Sequence, residues 1–173
     1  MATYRHEWEV GDVSGSVTAL SAMSILQSRP NDIFPFTVSG RGGVSSIRIG
    51  VTYDLIDTVG AFNNWGTGPD PVRVITATPL LFTFLTLSGH HRGAGQTISF
   101  ETFERGGKVI LCQYGTYTWA IRHPFSSLFN VGANVGASGA WALQAHNLRV
   151  ALGTAGSIEG FVIPGARTVW PSF

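Results

Sequence analysis

The stretch "TISFETFERGGKVILCQYGTYTW" (97–119) sets two runs rich in β-branched and aromatic residues on either side of "RGGK". A two-residue hairpin turn needs backbone angles with positive φ, which Gly106 and Gly107 can adopt without steric cost. The runs on both sides have the composition of strands. This segment therefore predicts an antiparallel β-hairpin, and it makes a mainly helical fold improbable from the start.

Alternation with a period of two recurs elsewhere in the chain. In "TYRHEWEV", one predicted strand face carries Tyr4, His6, Trp8 and Val10, and the other carries Arg5, Glu7 and Glu9. Such alternation is typical of a half-buried strand. Further strands are predicted at 33–39, 44–55, 72–88 (interrupted near Pro79), 147–152 and 157–163.

Three segments are harder to assign from their residues. Residues 16–27 fit a helix or a strand, and their serine and β-branched content favours a strand. A short helix is predicted at 54–63, opened by Asp54. "VGANVGASGAW" (131–141) predicts a strand that ends at Trp141, with glycines marking close approach of a neighbour at Gly132, Gly136 and Gly139.

Short strands separated by glycine-rich turns, with no repeat and no shift in composition, predict one antiparallel domain over residues 1–173. The expected fold class is all-β, as a jelly-roll-like β-sandwich or a closed β-barrel of about 8–10 strands.

Charge is unusually sparse. Charged residues make up 12% of the chain, against roughly 25% in an ordinary domain. Lys108 is the only lysine. Protein interfaces are depleted of lysine and enriched in arginine and aromatic residues. The composition therefore predicts a homo-oligomer, although a mutational bias against lysine codons would have the same effect.

Composition also bears on partners and location. The net charge is +1 and no basic arm occurs, so we expect no direct binding of nucleic acid. The longest apolar run, 74–89, is too short to span a bilayer. The N-terminus shows no signal peptide, which predicts synthesis in the cytoplasm, with an assembled particle as a further possible location.

No sequence motif indicates catalysis or a cofactor. His90 and His91 adjoin, so on a strand they would point to opposite faces and would not chelate one metal. Cys112 falls inside a predicted strand, where a buried and unreactive thiol is expected. Glu101 and Glu104 differ by three positions and should face opposite sides of their strand. We therefore predict no catalytic residue, cofactor or metal.

Contact residues are predicted in loops, where binding residues concentrate. Trp65 lies in "NNWGTGPDP", a loop that offers few ways to bury an indole. The interface or ligand-contact candidates are Trp65, His90, His91, Arg92 and Trp170.

Three functions fit these features. The leading prediction is a non-enzymatic structural subunit that assembles with itself and with other particle proteins, as a shell, spike or decoration protein of a virus or phage particle. The alternatives are a small β-barrel binding or toxin-like module for a glycan, lipid or apolar ligand, and a β-barrel enzyme with an apolar cavity.

Overall fold

The fold is a single antiparallel sheet curled into a half-barrel, with helices packed in its concavity. The computed structural model describes residues 2–56, 69–90, 93–117, 140–155 and 167–169. The strands are β1 (Ala2–Asp12), β2 (Thr37–Gly40), β3 (Thr52–Ile56), β4 (Asp70–Thr78), β5 (Leu81–Thr86), β6 (Thr97–Arg105), β7 (Lys108–Tyr117) and β8 (Arg167–Val169). The helices are α1 (Ala19–Ser28), α2 (Pro30–Ile33) and α3 (140–152).

The strand order is β2-β3-β4-β5-β6-β7-β1-β8, and every neighbouring pair is antiparallel. The chain thus runs as a meander from β2 to β7, and β1 returns beside β7. This confirms the predicted all-β antiparallel architecture. Of the two forms predicted, the β-barrel is closer to this curled sheet than the β-sandwich.

The hairpin of β6 and β7 is confirmed in detail. Arg105 pairs with Lys108 at its closed end, and Gly106 and Gly107 have φ values of 58° and 74°. The β4–β5 hairpin turns at Pro79, as expected. β1 also matches its predicted alternation, since Trp8 and Val10 are buried on the inner face.

The concave face holds the hydrophobic core. Phe100 of β6 stacks on Phe82 of β5, with ring centroids 4.9 Å apart. Phe34, at the end of α2, meets Phe100 edge-on at 5.1 Å. Trp141 of α3 does the same at 5.5 Å. The helices from both halves of the chain therefore pack against the same stacked rings, Phe82 and Phe100, on the concave face of the sheet.

The strand preference for residues 16–27 is wrong, because α1 occupies most of that segment. Thr18 caps the helix through a reciprocal capping box with Ser21. The Ala19 N–H donates to Glu104 Oε1 at 3.1 Å, so a carboxylate from the hairpin stabilises the helix N-terminus. The side chains of Ala22, Met23 and Leu26, on α1 itself, are buried. Capping and tertiary packing outweigh the weak helix propensity of the serines.

Three other local assignments are corrected, one in the C-terminal part of the chain and two around β3. Residues 147–152 and Trp141 lie in α3 instead of strands, because Trp141, Ala145 and Leu148 form one buried helical stripe. Asp54 belongs to β3 and accepts from Arg41, so no helix begins at Asp54, and residues 57–63 of the predicted helix lie outside the described residues. Residues 44–51 are not strand, although Tyr53 is. Gly132, Gly136, Gly139 and residues 157–163 lie outside the described residues.

The free edge of β2 is partly protected by a side chain. Asn31 of α2 accepts from the Val38 N–H at 2.6 Å and donates to the Val38 carbonyl at 3.2 Å. Its carboxamide thus bonds both backbone groups of one edge residue, much as a neighbouring strand would.

Candidate ligand-binding site

A chain of buried polar side chains crosses the concave face from β1 to α3. Trp8 Nε1 donates to Gln113 Oε1 at 2.6 Å, and Gln113 Nε2 donates to Gln144 Oε1 at 2.8 Å. Gln113 Nε2 also donates to the Trp141 carbonyl at 3.4 Å. Gln113 and Gln144 are completely buried. We call Trp8, Gln113 and Gln144 the amide chain.

The amide chain is set among apolar surroundings. Gln113 projects from β7 onto the face that also carries Leu111 and Val109, both fully buried. Gln144 projects from α3 beside Ala145. Polar groups in such a setting are stable only when they are hydrogen-bonded.

Two buried polar atoms next to Gln113 have no hydrogen-bond partner in the described part of the chain. One is Gln144 Nε2, at the end of the amide chain. The other is His6 Nδ1, and His6 pairs directly with Gln113 across β1 and β7. Leaving a buried donor or acceptor unsatisfied costs about 1–3 kcal/mol. A ligand that completes these bonds would recover that free energy.

His6 is held in its neutral form. Burial lowers the pKa of its imidazole below the ordinary value of 6.5. Its ring lies between Tyr4, at 5.7 Å, and Trp8, at 6.4 Å. A neutral imidazole offers one donor and one acceptor, so this position suits a polar but uncharged partner.

Gly115 leaves space for Tyr4 beside His6. Tyr4 and Gly115 are directly paired, and a Cβ at Gly115 would lie 2.9 Å from Tyr4 Cε1 and 2.3 Å from the Thr97 carbonyl oxygen. Any other residue would displace the tyrosine ring or the β6 backbone. Glycine here therefore fixes the position of an aromatic ring on the concave face.

The convex face of the sheet carries paired charged side chains. Glu7 accepts from Arg105 Nη2 at 2.7 Å and from Arg5 Nε at 2.9 Å. Cys112 lies between Glu7 and Glu101 in the strand register, and burial raises the pKa of its thiol to about 12. Such a thiol is almost never ionised at neutral pH, so Cys112 is a poor nucleophile.

Glu101 and Glu104 lie on opposite faces of β6, as the sequence indicated. Glu104 caps α1 from the concave side, and Glu101 pairs with Cys112. The two carboxylates therefore do not share a site.

Of the contact residues predicted from sequence, the structure describes one. The His90 side chain is 3% exposed, and its Nδ1 lies 3.9 Å from Asp70 Oδ1. His90 is thus buried, and its predicted role as a contact residue stays a prediction. Trp65, His91, Arg92 and Trp170 lie outside the described residues, and their roles stay predictions.

Sequence reasoning did not single out His6, Gln113 or Gln144. One signal was present, because alternation put His6 on the same face as Tyr4 and Trp8. A histidine between two aromatic residues on an inner strand face is a buried polar group that requires explanation. No comparable signal marked Gln144, since its burial depends on how α3 packs.

The described residues contain no cluster of three or more His, Cys, Asp or Glu side chains able to hold a metal ion. In the same ranges, no helix has both the length and the apolar character needed to cross a membrane.

Comparisons with known proteins identify the fold. No family model matches the chain, and no curated protein matches it. Among solved structures, a protein from Thermobifida fusca is similar at 12% identity and a TM-score of 0.59, covering 88% of this chain and 94% of the other. The KanY protein is similar at 13% identity and a TM-score of 0.58, covering 88% and 97%.

The Aha1 dimer from Colwellia psychrerythraea is similar at 14% identity and a TM-score of 0.51, covering 83% of this chain and 97% of that one. At these identities the likeness concerns the fold alone. The chain has the fold of small β-barrel and half-barrel domain proteins.

Proposed function

We propose that this protein is a small-molecule binding module, with a mainly apolar ligand held between the concave face of the half-barrel and α3. The observation that carries the proposal is a pair of buried polar atoms, His6 Nδ1 and Gln144 Nε2, on either side of Gln113, which have no hydrogen-bond partner among the described residues. Ligand sites in proteins are mostly apolar and contain a few convergent polar groups, which is the arrangement here.

The surrounding side chains support an apolar ligand. Trp8, within the amide chain, and Trp141, beside it, are nearly fully buried. Phe100 contacts Trp141 and stacks on Phe82. Aromatic rings contribute large contact areas at low entropic cost. The convex face differs in carrying the Glu7–arginine network, in which Glu7 accepts from Arg105 and Arg5.

The test is binding of N-phenyl-1-naphthylamine, an apolar dye whose fluorescence rises in a dry site. The wild-type protein should bind one dye molecule saturably, and the dye should raise the melting temperature, because a ligand that binds only the folded state stabilises it. His6→Trp should weaken binding about tenfold, since a larger ring would occupy the site.

The matched control is Glu9→Trp, the same substitution on the opposite face of β1. It should leave the dye affinity within about twofold of wild type. The proposal fails if the folded wild-type protein binds no dye saturably, or if the two substitutions weaken binding equally.

A second proposal concerns assembly. The sparse charge and the single lysine support a homo-oligomer, and one of the similar structures is described as a dimer. None of the similar structures reported above is named as a virus or phage protein, so a particle subunit stays a prediction from composition. Light scattering at micromolar concentration tests assembly directly, and a monomeric mass would contradict it.

A further inference from the structure

The direction of every hydrogen bond in the amide chain is fixed by its first member. The indole Nε1–H of Trp8 can only donate. The group of Gln113 that lies 2.6 Å from it must therefore be the carbonyl oxygen, and this settles an amide orientation that is otherwise a choice between two flips.

The orientation of the Gln113 side-chain amide determines the orientation of the Gln144 side-chain amide. With its oxygen on Trp8, Gln113 turns its NH₂ group toward α3, where one contact is Gln144 Oε1 and the other is the Trp141 carbonyl. Because Gln144 must accept from Gln113, its own NH₂ group points onward. This NH₂ is a buried donor with no partner among the described residues.

The NH₂ group of Gln144 is a hydrogen-bond donor, and this limits which ligand groups can bind beside it. A ligand group that only donates would face another donor and leave both unsatisfied. A carboxylate would satisfy the NH₂ but would bring a charge into an apolar site, which costs far more than burying a neutral group. Burial also lowers the pKa of His6, which pairs with Gln113, so an imidazolium is disfavoured on this face of the sheet.

We infer that the ligand is an apolar, uncharged molecule carrying a neutral acceptor oxygen, of which a carbonyl is the strongest kind, and that this oxygen accepts a hydrogen bond from Gln144 Nε2. This inference rests on the proposed function, since it assigns the ligand class of the same site. Trp8 and Gln113 act as positioning residues, because they hold the Gln144 amide with its NH₂ group toward the ligand.

The experiment compares 2-acetylnaphthalene with 2-ethylnaphthalene, which replaces the carbonyl with a methylene group on the same ring system. Each compound is titrated against protein carrying bound N-phenyl-1-naphthylamine, and its displacement of the dye is measured. A neutral hydrogen bond corresponds to roughly fivefold in affinity. The ketone should therefore displace the dye at concentrations about fivefold lower than the hydrocarbon.

Substitution tests the assigned donor. Gln144→Met keeps the length of the side chain and removes the amide, so the two compounds should displace the dye equally. The matched control is Gln27→Met, which removes an exposed amide whose Nε2 donates to the Thr78 carbonyl. The control should retain the full preference for the ketone.

A second measurement needs no variant and stays decisive if Gln144→Met does not fold. In ¹⁵N-labelled wild-type protein, the side-chain NH₂ protons of Gln144 should shift downfield with the ketone and not with the hydrocarbon. These resonances report the hydrogen bond itself.

The outcomes separate this inference from the proposed function. If the dye does not bind, the proposed function fails, and the ligand class fails with it. If the dye binds but the two naphthalenes displace it equally, or neither displaces it, only the ligand class is overturned. A preference that survives in Gln144→Met would overturn it as well.

Discussion

Trp8 and Gln113, 105 positions apart in the chain, are joined by a 2.6 Å hydrogen bond from the indole Nε1 to the amide oxygen. The bond links β1 to β7, and through Gln144 it reaches α3. One tryptophan on the first strand therefore sets the orientation of an amide on the last described helix.

Removing the indole N–H of Trp8 should lower the free energy of unfolding. Trp8→Phe leaves Gln113 Oε1 buried without that partner, so we expect a loss of about 1–3 kcal/mol in the free energy of unfolding. Urea denaturation measures it. Replacing both groups, in Trp8→Phe/Gln113→Leu, should cost less than the sum of the single changes, and strict additivity would contradict the coupling.

Acid should weaken the protein through Glu7. Burial alone would raise the pKa of Glu7, but hydrogen bonds and charges from Arg105 and Arg5 bring it below 4.5. The folded state then binds fewer protons than the unfolded chain. Its contribution to stability is present above the unfolded pKa, near 4.5, and is lost as the pH falls through the lower folded value.

The variant Glu7→Gln should therefore lose less stability than wild type between pH 6 and pH 3, as measured by the urea midpoint. Glu9→Gln, on the same face of β1, is the matched control and should behave as wild type. An identical pH profile for Glu7→Gln and wild type would show that the arginine pairs do not lower this pKa.

The Cys112 thiol should resist alkylation in the folded protein. Its pKa is raised to about 12 by burial, so at pH 8 very little thiolate is present and the sulfur is also inaccessible. Iodoacetamide should react slowly in buffer and quickly in 8 M urea. Reaction of the native protein at the rate of a free peptide thiol would contradict the burial of this side chain.

The turn between β6 and β7 should tolerate only residues that accept positive φ. Gly107 has φ 74°, and a β-branched side chain there is strained whatever the surrounding space. Gly107→Val should destabilise by about 1–2 kcal/mol. Gly15→Val is the control, because nothing lies within 4 Å of its Cβ position and its φ is outside that region. Equal melting temperatures for the two variants would argue against turn strain.

Much of the sheet could be predicted from sequence because strand signals are local. The alternation of residues 4–10 and the paired glycines of "RGGK" each specify their own backbone. The helices were harder to predict for a physical reason, and residues 16–27 were open between helix and strand with a preference for strand. α1 depends on a cap at Thr18 and on Glu104 from a distant hairpin. The buried stripe of α3, from Trp141 to Leu148, was visible in the sequence, but its first residues were assigned to a glycine-rich strand.

The candidate site was less accessible to sequence reasoning. The inward orientation of His6 follows from alternation. That its Nδ1 has no partner in the described part of the chain depends on what packs against β1, which the sequence does not show. Gln113 and Gln144 have polar side chains typical of a surface, and only the packing of α3 on β7 brings them together. Loop positions such as Trp65 can be proposed as contact residues because the composition of a loop is read directly from the sequence. Contacts between distant elements cannot be read in this way.

We propose that the concave face between β1, β7 and α3 binds the ligand. The most direct test of this proposal is an amide ¹H–¹⁵N spectrum recorded while N-phenyl-1-naphthylamine is added to the wild-type protein. We predict shifts centred on His6, Gln113 and Gln144, with Ser99 and Thr83 of the convex face unchanged. Saturable dye binding whose shifts centre on Ser99 and Thr83, and leave the His6 and Gln144 signals in place, would contradict the claim.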